Sequence, residues 1–305
     1  VNWENEKKGR IMRAAWVEKY TRDENGLTPA SMRSKRNAQA RVEQYLLYIG
    51  KPNLGLKEVD KDFCKGFIAF LKTCTFNNGK KTLGSTTCRI FMNRLAAALN
   101  MAVSEGLIDS NPFKLLDAKE KPQKKSAIRE FLTIEELRTL IATPCRYDIV
   151  KKAFLFSCFT GLRYSDMMAL KWNEIHKAAD GKKLYIEHEQ VKTKNTVTIP
   201  LSNEALKWMP RKSKDSERVF HQLRITSTTV EVVLGEWMQE AGIQKHITYH
   251  CSRHTAATLL LTLGADLYTV SKILGHQSIR MTEVYAKIVD KKKIETMNLV
   301  NNMFV

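Results

Sequence analysis

The chain has 305 residues, 43% of them apolar and 27% charged, which fits a folded protein too long for one hydrophobic core and argues for two domains. The densest apolar run, Ala153–Phe159 ("AFLFSCF"), is far short of the ~18 residues a membrane span needs, which excludes a helical membrane protein. The formal net charge is +18: residues 1–125 carry 24 basic minus 13 acidic residues (+11) and the remainder 26 minus 19 (+7), so both halves suit a polyanion. DNA or RNA fits that two-sided basicity better than a membrane surface, which one basic amphipathic helix would serve.

In chain order, "VNWENEKKGR" is charged and lacks the apolar core of a secretory leader. "TPASMRSKRNAQARVEQYLLYIG" has Thr28 as N-cap, Pro29 at the first helical position and Gly50 as a stop. "DKDFCKGFIAFLKT" places Phe63, Phe67, Ile68, Phe70 and Leu71 mostly on one helical face. A third helix runs from Ser85 to Gly106, and "DSNPF" breaks the pattern. No strand signal occurs in this half, so residues 1–116 are expected to form a small helical bundle. Residues 117–130, "DAKEKPQKKSAIRE", are charged and almost without apolar content, and read as a linker.

A second domain, 131–305, opens on the capping box "TIEE" at Thr133–Glu136. "DIVKKAFLFSCFTG" reads as a buried helix stopped by Gly161, and "KLYIEHEQ" and "NTVTIPL" alternate as a hairpin across "VKTK". Helices return in "STTVEVVLGEWMQEAG", "HCSRHTAATLLLTLG" and "DLYTVSKILG". The last residues suggest an amphipathic tail helix with Ile294, Met297, Val300 and Phe304 on one side, docking either on its own domain or on a neighbouring copy. The fold class expected is mainly α with a small β-hairpin or sheet: a helical domain followed by a mixed α/β domain.

Six scattered cysteines (Cys64, Cys74, Cys88, Cys145, Cys158 and Cys251) include no C-x-x-C pair, which fits free thiols in a reducing cytoplasm. His246, His250 and His254 recur every fourth residue, but there is no H-E-x-x-H and no accompanying carboxylate set, so no metal site is expected.

Four stretches place polar residues where elements should end. "TGLRYSD" brings out Arg163 beside the stop glycine. "HCSRH" puts His250 and Arg253 on one face of a helix start. "LGHQS" sets His276 after a helix-ending glycine, and Tyr285 in "MTEVYAKIVD" follows nine residues later. Singly these are a capping arginine, a core histidine and a packed tyrosine; jointly, in this order, they need another explanation.

The ordered set resembles the boxes of the tyrosine recombinases, the phage-type integrase family, over about Thr133–Tyr285, and the subgroup it most resembles is the integrases of bacterial conjugative or mobilisable elements. The helical first half is similar, less specifically, to that family's core-type DNA-binding domain. The departures are Ser252 where the family usually has Leu, and Asp166 where Glu is also common. The resemblance implies that Arg163 and Arg253 clamp the scissile phosphate, that His250 and His276 donate or relay protons, and that Tyr285 attacks. Lys192, eight residues before Pro200, is the implied acid for the leaving oxygen, with Lys194 as the fallback, and Asp166 orients its neighbours.

Elementary chemistry favours the same set. Attack on a phosphodiester builds negative charge on its equatorial oxygens, which guanidinium forks match. A phenol needs a cationic neighbourhood or a base to attack near neutrality, and the departing alkoxide needs an acid. The implied activity is site-specific strand breakage and rejoining through a 3′-phosphotyrosine, without metal or other cofactor, on double-stranded attachment-site DNA. The implied assembly is a homo-tetramer, with accessory DNA-bending proteins as possible helpers, in a bacterial cytoplasm at the nucleoid. The alternatives are a type IB topoisomerase-like enzyme and a non-catalytic regulator, since "AATLLLTLGADLYTVSKILGHQS" mimics a helix-turn-helix.

Overall fold

The computed structural model describes residues 28–76, 81–123, 130–179, 181–213 and 216–286. The tail stripe of Ile294, Met297, Val300 and Phe304 lies outside them. The chain divides into two compact units, 1–127 and 128–305. Among the described residues no helix is long and apolar enough to cross a membrane.

The first unit is built on α1 (Pro29–Tyr48), α2 (Lys61–Thr73) and α3 (Ser85–Ser104). Thr28 accepts the Ser31 N–H to open α1, and Gly50 follows its end at φ +67°. Asp60 accepts the Phe63 N–H to open α2, which buries Phe63, Cys64, Phe67, Ile68 and Leu71. Tyr45, Leu95 and Leu99 complete this core from α1 and α3. The expectation of no strands in this half is corrected: β1 (Thr75–Phe76) and β2 (Lys81–Thr82) pair antiparallel. Two residues are too few for alternation to register in a sequence. Part of the segment read as linker is tied to this unit, by a 2.8 Å ion pair between Lys65 and Glu120 and a 2.6 Å bond from the Ser85 hydroxyl to the Gln123 carbonyl.

The second unit contains α4 (Ile134–Ala142), α5 (Asp148–Thr160) and α6 (Tyr164–Ala169), then β3 (Ile175–Lys177), β4 (Leu184–Glu189) and β5 (Thr196–Pro200). It continues with α7 (Asn203–Lys207), α8 (Ser227–Glu240), α9 (Tyr249–Thr262) and α10 (Leu267–Leu274), and residues 280–286 are helical. The Thr133–Glu136 capping box is present on both sides. The expected hairpin is β4–β5, with Ile186 opposite Ile199 and His188 opposite Val197, all four buried. β3 adds a third antiparallel strand in the order β3-β4-β5, too short at three residues to announce itself.

Helix α9 is buried nearly all round: Arg253, His254, Thr255 and Thr258 are as covered as Ala256, Ala257 and Leu261. A Glu231 carboxylate on α8 accepts its first N–H, from Tyr249, and the Tyr249 ring packs edge-on to Phe154 of α5. Trp237 anchors α8 to the same core, with its ring 1% exposed and its indole N–H 3.1 Å from the Thr143 carbonyl. Trp237→Ala is therefore expected to lower stability by ~3–5 kcal/mol in denaturant unfolding, as loss of a large buried aromatic does.

Candidate active site

Helix α5 ends where Gly161 takes a left-handed φ of +73°. A side chain there would run into Leu274 of α10 and approach the Ala256 Cβ at 3.6 Å, so glycine is required both by the turn and by the packing. The reversal delivers Arg163 to the N-cap of α6. Its guanidinium lies 3.4 Å from the fully buried Asp166 carboxylate. The other Asp166 oxygen accepts the Val191 N–H at 2.9 Å, so one carboxylate fixes both Arg163 and the turn of the β4–β5 hairpin.

Arg253 is only 3% exposed. It donates from Nη1 to the Gly161 carbonyl at 2.8 Å and from Nη2 to the Leu274 carbonyl at 2.5 Å. Both acceptors close helices, α5 and α10, where the aligned peptide dipoles leave partial negative charge. Burial, and then the neighbouring Arg163, push the Arg253 pKa down to about 10, against the opposing effect of Tyr285 and Asp166. That value still leaves a cation at neutral pH.

The hairpin is tied in by Gln190, which is 1% exposed and donates to the same Leu274 carbonyl at 3.0 Å while accepting from the Thr193 hydroxyl at 2.6 Å. Lys192 stands exposed on the turn. Lys194 occupies the left-handed position of that turn (φ +57°), with its Nζ 3.6 Å from Glu189, an exposed pair of little energetic weight.

His250 is exposed on the first turn of α9, edge-on to the ring of His254 at a centroid distance of 4.8 Å. His246 precedes the N-cap Thr248, so the run of three histidines does not form one helical face. Among the described residues no group of three or more His, Cys, Asp or Glu is arranged to hold a metal ion. His276 follows Gly275, which ends α10 at φ +62°, and its Nδ1 lies 2.8 Å from the hydroxyl of buried Thr282. One helical turn later comes Tyr285, 2% exposed and packed with Ala257, Leu261, Val270 and Leu274. Its hydroxyl lies 2.6 Å from His254 Nδ1.

The structure thus brings Arg163, Asp166 and Tyr285, from two other segments, within electrostatic reach of Arg253. Lys192 is held at the turn that Asp166 and Gln190 fix, and His276 is tied to the Tyr285 helix through Thr282. Residues 130–292 match the phage integrase family, and residues 14–122 match the phage integrase SAM-like domain.

The chain belongs to the phage integrase family.

Among curated proteins it is 24% identical to a tyrosine recombinase of Pseudothermotoga lettingae over 265 residues, covering 84% of this chain and 88% of that one. It is 25% identical to the tyrosine recombinase XerC of Chlamydia pneumoniae over 252 residues, covering 77% and 76%. Among solved structures it is similar to the Tn1549 transposon integrase in complex with a circular intermediate DNA, with a TM-score of 0.70 at 17% identity over 89% of this chain and 93% of that chain. It is also similar to a lambda integrase dimer bound to a COC′ core site, with a TM-score of 0.68 at 18% identity over 92% and 79%. The fold is shared with these integrases, mostly helical with a small three-stranded antiparallel sheet. Family membership favours a tyrosine recombinase over the regulator and topoisomerase readings.

Sequence reasoning missed Gln190, Thr282 and the bond made by His254. Gln190 did leave a signal: it continues the inward parity of Ile186 and His188 on β4, where an apolar residue is ordinary. The site also depends on Gly275, because a Cβ there would press on Val197 and on the Gln190 amide that holds the hairpin. Gly275→Ala is expected to cost ~1–3 kcal/mol of stability and to slow DNA cleavage. Gly181→Ala, at φ +67° with open space around it, carries the backbone strain alone and serves as the control in parallel unfolding and cleavage assays.

Proposed function

We propose that this integrase-family protein is a site-specific DNA recombinase that cuts and rejoins strands through a 3′-phosphotyrosine on Tyr285. The observation that carries the reading is the meeting of two guanidinium groups, one of them buried and anchored, with the hydroxyl-bearing Tyr285 in one site. Arg163 and Arg253 hold the non-bridging oxygens of the scissile phosphate, where charge accumulates as phosphorus becomes five-coordinate. Tyr285 Oη bonds to phosphorus and the bond to O5′ breaks. Lys192, exposed on a turn that Asp166 and Gln190 hold, gives its proton to the departing O5′. Lys194 is the weaker candidate, because it is Lys192, eight residues before Pro200, that stands where the family's lysine does. His250 and His276 border the phosphate as donors or relays. The phosphodiester energy is kept in the tyrosyl ester, so religation needs no nucleotide and the chemistry no metal.

The substrate is double-stranded DNA at the attachment sites of a mobile element, in a bacterial cytoplasm. The first unit contributes core-type DNA contacts, in keeping with its match to the SAM-like domain and with the +11 balance of residues 1–125 (24 basic minus 13 acidic). Exchange of four strands requires four protomers on two duplexes, and lambda integrase has been solved as a tetramer bound to a Holliday junction. Accessory DNA-bending proteins would help to bring the duplexes together.

The test uses a nicked duplex carrying the end junction of the protein's own element, on which a released oligonucleotide traps the adduct. Wild-type protein is expected to form a covalent complex that excess EDTA leaves intact, with the nucleotide on Tyr285 by mass spectrometry. Tyr285→Phe should bind DNA and form none; an adduct on another residue rejects the reading. Lys192→Ala should slow cleavage by ~10²–10⁴ and recover on a substrate with a 5′-bridging phosphorothiolate, whose leaving group needs no acid. Recovery by Lys194→Ala instead would move the acid to that residue.

A further inference from the structure

We propose that His254 is a catalytic residue that accepts the phenol proton of Tyr285 during attack, an inference that rests on Tyr285 being the nucleophile. Its Nδ1 lies 2.6 Å from Tyr285 Oη, and the two rings are 5.5 Å apart between centroids. The imidazole is 9% exposed and is held between this bond and the edge-on ring of His250. Its main chain is fixed as well, because the His254 carbonyl accepts the Thr258 hydroxyl at 3.0 Å on a helix buried nearly all round. The next residue back is Arg253, whose guanidinium bonds to the carbonyls that close α5 and α10. One turn of one helix therefore presents the phosphate-holding cation and, beside it, a base already on the attacking oxygen.

The chemistry suits an imidazole. Phenols ionise near pH 10 and imidazoles near 6.5 in water, so a neutral imidazole at neutral pH has an open lone pair and can take a proton that water takes poorly. In this role Nδ1 is the bare nitrogen and Nε2 carries the hydrogen. As Oη bonds to phosphorus its proton passes to Nδ1; as P–O5′ breaks, O5′ receives a proton from the lysine. His254 ends one proton richer and the lysine one poorer, and religation reverses both transfers.

The experiment compares wild type, His254→Ala and His254→Asn in single-turnover adduct formation on the nicked duplex described above. Asn keeps an acceptor oxygen near the Nδ1 position but cannot hold a proton. Both variants are expected to bind DNA within ~twofold of wild type and to form the Tyr285 adduct ~10²-fold or more slowly, the usual scale for loss of a general base. A fluorinated tyrosine at position 285 ionises more readily and needs less help, so it should shrink the His254→Asn deficit by at least ~10-fold relative to the same change in wild type. A His254→Asn rate within ~3-fold of wild type would show that an acceptor suffices and would overturn proton transfer to His254. A deficit that ignores phenol acidity would overturn it too. An adduct on another residue in the wild-type protein would remove the nucleophile itself, an outcome distinct from either of those.

Discussion

A buried guanidinium organises the second unit. Arg253 is withdrawn from water on a helix with almost no exposed face, and its hydrogen bonds go to the carbonyls that close two other helices. Each of those carbonyls lies at a helix end whose neighbouring glycine is forced into a left-handed conformation, Gly161 after α5 and Gly275 after α10. Placing a cation where helix dipoles end offsets part of the desolvation it suffers. What remains shows in a pKa pushed down to about 10, a sign that the charge is held there against its own hydration. Such a group has lost its solvent before any substrate arrives and has little reorganisation left when an anion binds.

The rest of the site hangs from the same acceptors. The Leu274 carbonyl takes a bond from Gln190 as well as from Arg253, so the hairpin is fastened to the atom that fastens the guanidinium. Asp166 makes the second attachment, holding the hairpin turn through Val191 and Arg163 through its other oxygen. Lys192 is thus exposed and able to reach while its turn is fixed. The tyrosine is placed by apolar packing instead, through Ala257, Leu261, Val270 and Leu274, and its hydroxyl meets His254. Leu274 appears in both sets, its carbonyl in the polar network and its side chain against Tyr285.

Much of this was legible in the sequence because it is carried by local rules. Gly161, Gly275 and the Thr133–Glu136 capping box mark helix ends through backbone geometry, which a short window contains. Arg163 and His276 could be read because each falls beside a helix-ending glycine, and His250, Arg253 and Tyr285 because their order with those two resembles the family's boxes. The parts that stayed hidden depend on partners distant in sequence. Gln190 is separated from Leu274 by 84 residues, and His254 from Tyr285 by 31. His254 in sequence looked like one member of a histidine run, and only the fold shows that it meets the tyrosine. The two-residue and three-residue strands were hidden for another reason, since alternation cannot show itself over so few positions.

The central claim is that two arginines reached from separate helix ends hold one phosphate while Tyr285 attacks it. A structure of the protein on attachment-site DNA, with vanadate bridging Tyr285 and the cleaved 5′ hydroxyl, tests this most directly, because the metal oxide mimics five-coordinate phosphorus. The account predicts Tyr285 Oη and O5′ in line at the two apical positions, with Arg163 and Arg253 on equatorial oxygens and Arg253 still bonded to the Gly161 and Leu274 carbonyls. An apical ligand other than Tyr285, or an Arg253 guanidinium that keeps both carbonyls but lies out of reach of the equatorial oxygens, would contradict it.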